Sequence, residues 1–480
     1  MIPRVKISVS EDTTNYYTTT VPFVPVVIMH TMSGNIGTKE LIRSESEFIS
    51  KFGKGTESTP SAYAVQTYLR TYSYIYVTRL ASASADYGVA AMVFGENNIP
   101  LISFKTVYKT ASLNGTEINL NYDSTGKKLY LSTVINSIAV SSIKETIDLS
   151  TAKAPAVSTA LSKICDSFNA MNLGIEATNN YIDKVDADPT PTGLTVITSA
   201  IASGDSGLGA VDESVVLAAV DSYASSGMNI DVMVIPEYNS ANVINNAVNK
   251  AEDFGFMILT SPTANDLSSC ITAIQNYNRS DSLAIYFPDV KYTNFNASIP
   301  ACIAVLSGYA KNDNVNKWLA PAGTSRGLLS LVSTLSVKLN DEDLDTLYNN
   351  TVPVNPIKLI DGIGYTMWGQ KTTATQDVYM DRINIARLVK YVYREVNTIS
   401  YQYLFEPITE NTFSSWGLRV SSLLENLKAG NAISAYTYKM DDENNTEETI
   451  AQNMLIGSVR IKPVEVAEFI DIDFTLTSQV

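Results

Sequence analysis

The two ends of the chain alternate. In Arg4-Val5-Lys6-Ile7-Ser8-Val9 the apolar Val5, Ile7 and Val9 fall on one face and Arg4, Lys6 and Ser8 on the other. Near the C-terminus Ile470, Ile472, Phe474 and Leu476 alternate with Asp471, Asp473, Thr475 and Thr477, directly after Phe469. A period of two predicts a strand with two unlike faces. Each end therefore reads as a strand arm, the first basic and the last acidic. A polar stretch, residues 10–20, follows the first arm. Opposite charges facing across a strand pair add about 0.2–1 kcal/mol each, so the arms suit pairing with each other or with a sheet edge.

Between the arms the pattern changes to continuous apolar runs. Residues 24–29, 230–235, 255–260 and 283–287 are almost wholly apolar, and Pro236, Pro262 and Pro288 stop the last three. Helical stretches at 213–225, 241–254 and 264–277 alternate with them. Strands apolar on both faces, separated by helices, predict a parallel sheet covered on both sides. Earlier, residues 45–52 and 59–71 read as helices with Ser44 and Thr59 as N-caps, and 74–78 as a strand. Residues 90–200 differ: they are rich in Thr, Ser, Ile and Val, with turn signals at Asn114-Gly115 and Ser124-Thr125-Gly126. In the last third, helices are expected at 377–397 and 416–429, and strands at 432–439, 454–461 and 467–476.

The expected fold class is α/β and multidomain: an α/β core with a parallel-type sheet, an inserted β-rich domain, an α+β C-terminal domain and extended terminal strand arms. The expected divisions are an arm and linker at 1–20, the start of the core at 21–89, a β-rich insertion at 90–200, the continued core at 201–345, the C-terminal α+β domain at 346–466 and a strand arm at 467–480.

Composition narrows the function. The 480 residues carry a net charge of −15 and only 17% charged positions. The acidic balance argues against nucleic acid as a partner, because phosphate contacts need basic surface. One histidine, His30, rules out a multi-histidine metal site. Three scattered cysteines, Cys165, Cys270 and Cys302, imply no disulfide framework. No apolar run reaches the ~18–20 residues that span a bilayer, and residues 1–12 lack the apolar region of a signal peptide. Few charges on a long chain fit either a large core or a surface hidden by partners.

Several motifs suggest chemistry and fall short. Gly204-Asp205-Ser206-Gly207, with His30 upstream, offers a serine nucleophile and a base, yet a polar turn before a helix is the plainer reading. Gly34-Asn35-Ile36-Gly37-Thr38-Lys39 lacks the order of a phosphate loop and reads as a surface turn. Asp341, Glu342 and Asp343 read as a helix start, where acids suit the dipole. On the 377–397 helix, Leu388, Val389, Val392 and Val396 share one face, and Arg387, Lys390 and Arg394 share the opposite one. That basic stripe is either a solvated face or a dock for an acidic partner. The last 40 residues hold nine acids against Arg460 and Lys462, almost half of the net charge.

A set of motifs in order resembles one family, the contractile tail sheath proteins of bacteriophages and related injection machines. Residues 318–327, Trp-Leu-Ala-Pro-Ala-Gly-Thr-Ser-Arg-Gly, are similar to the family's Pro-Ala-Gly…Arg-Gly segment. Asn355-Pro356-Ile357 and the later Trp368-Gly369-Gln370-Lys371-Thr372 resemble its Trp-Gly-x-Arg-Thr motif, with Lys371 in place of Arg. Phe405-Glu406-Pro407-Ile408 through Trp416 resembles its Phe-Glu-Pro-Asn…Trp segment, with Ile408 in place of Asn. Asn445-Thr446 and the run from Pro463 to Ile470 match its C-terminal end.

The resemblance implies a structural protein, not an enzyme, with no cofactor and no membrane insertion. It implies hexameric rings stacked around an inner tail tube, with baseplate and tail-terminator proteins as further partners. The place implied is a virion tail built in the host cytoplasm. Contraction would drive the tube through the host envelope. Strand exchange would use Arg4, Val5, Lys6, Ile7 and Val9 in one arm, and Phe469 to Asp473, Phe474 and Leu476 in the other. Arg387, Lys390 and Arg394 are the expected contact with the tube. A sheath of a cellular injection system or bacteriocin particle is the alternative; a serine hydrolase using Ser206 and His30, or an acidic surface-array protein, is more remote.

Overall fold

The computed structural model describes residues 23–95, 98–135, 138–181, 191, 193–375 and 379–468. The expected strand-exchange residues of both arms lie outside these. The chain divides into two compact units, one of Met1–Ile28, Thr71–Tyr76 and Leu217–Val480, the other of Met29–Arg70 and Val77–Val216.

In the first unit the sheet order is Gly364–Met367, Asn355–Ile360, Leu283–Phe287, Met257–Thr260, Val232–Val234, then Pro25–His30. The last five pair in parallel and the first pairs antiparallel to its neighbour. Val232–Val234, Met257–Thr260 and Leu283–Phe287 are buried at every position, as their apolar runs require. Helix Ala241–Phe254 has the bounds that its pattern predicts: Ser240 accepts from the Val243 amide, and Gly255 ends it at φ +75°. The next helix is shorter than expected, Leu267–Ile274, because Asp266 and Ser269 form a capping box that fixes its start.

The last third packs two helices, Ile383–Tyr401 and Glu410–Lys428, under an antiparallel ribbon of Ile433–Lys439 and Ser458–Pro463. Leu388, Val392, Val396, Trp416, Val420 and Leu424 belong to one apolar core, each worth about 1.5–3 kcal/mol when buried. Three starts move, and the first helix also runs on to Tyr401. The first helix starts at Ile383, after a short 3-10 turn at Tyr379–Asp381. The second starts at Glu410, because Thr409 accepts from the Thr412 amide. The ribbon's second strand begins at Ser458 rather than 454. The amide of Asn445 takes both the N–H and the C=O of Ile456, at 2.6 and 2.9 Å, so those groups are lost to the ladder.

The second unit holds the β-rich segment. One sheet runs Ile175–Asn179, Ile99–Lys109, Tyr87–Phe94, and another Val196–Ala200, Glu117–Asp123, Lys128–Ile135, Ile138–Val140. It also contains a 16-residue helix, Ala154–Asn169, that composition hid. Val157, Ala160, Leu161, Ile164, Cys165 and Phe168 are its buried residues, a clear helical period in a stretch dominated by strand formers. Phe168 meets Phe104 edge to face at 5.8 Å between centroids.

Candidate functional site

The expected basic stripe is where the structure departs most from the sequence reading. Helix Ile383–Tyr401 lies across the amino ends of the parallel strands, and two of its three cations, Arg394 and Lys390, meet groups that precede a strand. Arg394 donates to the Ile230 carbonyl and, at 2.6 Å, to Asp231, just before Val232–Val234. Gly255, before Met257–Thr260, lies so close that an added Cβ would stand 3.5 Å from Tyr393 and 3.8 Å from Arg394. Lys390 donates to Asp281 at 2.7 Å and to the Ser282 hydroxyl at 2.8 Å, just before Leu283–Phe287. Arg387 forks Asp313, the last residue of helix Leu306–Asp313.

This corrects the expectation of an open basic face. The side chains of Arg387, Lys390 and Arg394 are only 4%, 11% and 12% exposed, and their acids belong to the same chain. The helix is apolar toward Trp416 and Val420 and ionic toward the sheet. A single helix cannot reveal from its own sequence whether its polar face meets water or acids. The available signal was elsewhere: Asp231 and Asp281 each stand one or two residues before a fully apolar strand.

Asp231 is the centre of the network. It accepts from Lys317 at 2.8 Å, from Arg394, and from the Val24 amide at 2.9 Å. Burial opposes its charge, but Arg394, Lys317 and Arg387 outweigh burial and hold its carboxyl at about 2. Burial pulls the Lys317 ammonium below its ordinary value against the pull of Asp231. For Arg387 burial acts downward, yet Asp313 wins and raises it. The guanidinium also sits 5.1 Å from the Tyr309 ring and 5.8 Å from the Phe23 ring.

A second cluster gathers at the start of the same helix. Arg382 reaches Glu468 at 2.7 Å and Asp381 at 2.5 Å. Gln370 donates to Glu468 at 3.1 Å. Lys371 donates to the Tyr348 carbonyl and Asn349 and lies 4.1 Å from the centre of the Tyr348 ring. Burial raises the Asp381 carboxyl and lowers the Lys371 ammonium. The Trp-Gly-Gln-Lys-Thr motif thus supports the end of the described chain.

The hydrolase candidate is not assembled. Ser206 is buried, and its hydroxyl donates to the Met32 carbonyl at 2.8 Å while accepting from the Ala111 amide. Its one proton is therefore committed to backbone. His30 Nδ1 lies 3.2 Å from the Leu80 carbonyl, and burial lowers its pKa. Gly34 is a packed turn: its carbonyl accepts from buried Arg79, and an added Cβ would meet the Phe52 ring at 2.6 Å. Asp341–Tyr348 is a helix capped by Asn340 and Asp343. Among the described residues no group of three His, Cys, Asp or Glu side chains is placed to hold a metal, and no helix is long and apolar enough to cross a membrane. The three cysteines are free and buried.

Residues 375–477 match a family model described as the phage tail sheath C-terminal domain. The tail sheath protein of Vibrio phage KVP40 is 30% identical over 189 residues, which is 39% of this chain and 28% of that one. The tail sheath protein of Enterobacteria phage T4 matches to the same extent. The match thus spans less than a third of these relatives. In fold, the chain is similar to the sheath tail protein of Desulfitobacterium hafniense, with a TM-score of 0.62 at 9% identity over 92% of this chain and 93% of that one. It is also similar to a chain of the anti-feeding prophage baseplate, with a TM-score of 0.58 at 16% identity over 99% of both. A chain of the contracted sheath complex of an extracellular contractile injection system gives 0.58 at 15% identity, over 100% of this chain and 98% of that one.

Proposed function

From its relation to the contractile tail sheath proteins, we propose that this chain is a structural subunit of a contractile sheath. Copies stack as hexameric rings around an inner tube, and contraction drives that tube through a cell envelope. The observation that carries this reading is the match of residues 375–477 to the tail sheath C-terminal domain, together with the likeness in fold to a sheath tail protein over 92% of the chain. A heterologous contact that does not close on itself generates a helical filament. The alternating segments around Val5-Lys6-Ile7 and Ile470-Asp471-Ile472 suit strand donation to a neighbour's sheet edge.

Because Arg387, Lys390 and Arg394 are already paired within the chain, the proposed tube contact passes to another helix. Helix Glu410–Lys428 keeps an uncovered face, on which Leu418 is 70% exposed beside Arg419. A phage tail supplies one setting; a cellular injection system is the second, favoured by the likeness to the anti-feeding prophage chain.

The test is negative-stain microscopy of the purified full chain and of a chain ending at Glu468. Tubes from the full chain and only free subunits from the shortened one are expected. Tubes from both would reject strand donation, and no tubes from either, with or without added tube protein, would reject the sheath reading.

A further inference from the structure

Helix Ile383–Tyr401 touches both ends of the described chain. At its N-cap, Arg382 holds Glu468, the last described residue before the C-terminal arm, at 2.7 Å. Gln370 adds a bond to the same carboxylate. Further along, Arg394 holds Asp231, whose other oxygen accepts from the Val24 amide. The Asp231 amide in turn donates to the Val24 carbonyl at 3.0 Å. Between them, Arg387 lies against the Phe23 ring, the first described residue after the N-terminal arm. The roots of the two arms thus rest on one element, about 18 Å apart along its axis at 1.5 Å per residue.

This element is stiff. From Ile383 to Val396 none of its residues is exposed. Its ionic side is pinned at three places, by Asp313, Asp281 and Asp231, and its apolar side by the Trp416 core. A close-packed element clamped on two faces transmits a displacement instead of absorbing it.

We propose that helix Ile383–Tyr401 couples the two terminal arms, with Arg382 and Glu468 positioning the root of one and Arg394, Asp231 and Arg387 the root of the other. The importance of this coupling for a sheath rests on the reading that both arms are exchanged between subunits. A pull on one arm then reaches the other through a single helix, without passing through the second compact unit. Coupling between two sites is reciprocal: loosening the first root changes the opening of the second by the same factor as loosening the second changes the opening of the first.

Hydrogen–deuterium exchange on the full chain, before assembly, reads this directly. Arg382→Gln removes the clamp at the C-terminal root, and exchange in residues 23–28 is expected to rise about tenfold along with exchange near Glu468. Arg394→Gln should raise exchange near Glu468 by a like factor. Arg382→Lys, which keeps an ion pair, should restore protection at both roots. Glu468→Gln gives the same readout from the chain's end if Arg382→Gln does not fold. Effects confined to the root next to each substitution would overturn the coupling. Because the measurement needs no assembly, that failure is distinct from a failure of the chain to form tubes.

Discussion

The guanidinium of Arg387 meets the carboxylate of Asp313 with both terminal nitrogens, Nη1 to Oδ1 at 2.8 Å and Nη2 to Oδ2 at 2.6 Å. The side chains are 4% and 1% exposed. Removing one partner of such a pair leaves a charge that is buried and uncompensated. Arg387→Ala should therefore cost about 3–5 kcal/mol in urea denaturation, whereas Arg387→Met with Asp313→Leu should cost much less.

Asp231 makes stability depend on acid. Its carboxyl sits at about 2, below the ordinary value of 3.8. A depressed folded value stabilises the fold above the unfolded pKa, and this contribution is lost as pH falls from about 4 toward 2. The loss should be about 2 kcal/mol. Thermal melts at pH 5 and below should show it, and Asp231→Asn should flatten that part of the profile on a lower baseline.

Asp289 works in the opposite direction. Burial raises its carboxyl to about 6, although the Ala301 amide donates to it at 2.9 Å. A raised folded value means that stability falls as pH rises from about 4 to 6. Asp289→Asn keeps an acceptor for Ala301 without the buried charge. It should stabilise the chain at pH 7 by about 2–3 kcal/mol, read as a higher melting temperature.

Two glycine substitutions should separate backbone from side-chain crowding. A Cβ on Gly204 would stand 2.1 Å from the Thr110 carbonyl oxygen, and the backbone there would have to shift. Gly204→Ala should cost about 1–3 kcal/mol. A Cβ on Gly308 meets Met367 Cε at 2.6 Å, the far end of a flexible chain. There the helical gain from alanine, about 1 kcal/mol, offsets the adjustment. Chemical denaturation of the two variants should rank them in that order.

Ser206 should resist a serine-directed fluorophosphonate. Its hydroxyl is buried and already donates to Met32, so peptide mass spectrometry should find residue 206 unmodified. Stoichiometric labelling at native pH would restore the hydrolase reading.

The sequence alone determined what depends on local period. A strand apolar on both faces, such as Leu283–Phe287, has to be interior, and Ala241–Phe254 announced itself by its spacing, its Ser240 cap and its terminal glycine. The motifs from Trp318 to Phe469 pointed to the sheath family because order along a chain is itself information in the sequence. Tertiary structure decided the rest. Whether Arg387, Lys390 and Arg394 face water or acid depends on Asp313, Asp281 and Asp231, which lie 74, 109 and 163 residues away. Periodicity reports which side of a helix is polar, and only packing reports what that side meets. For the same reason the joining of Glu468 and Val24 through one helix is visible only once the chain has folded.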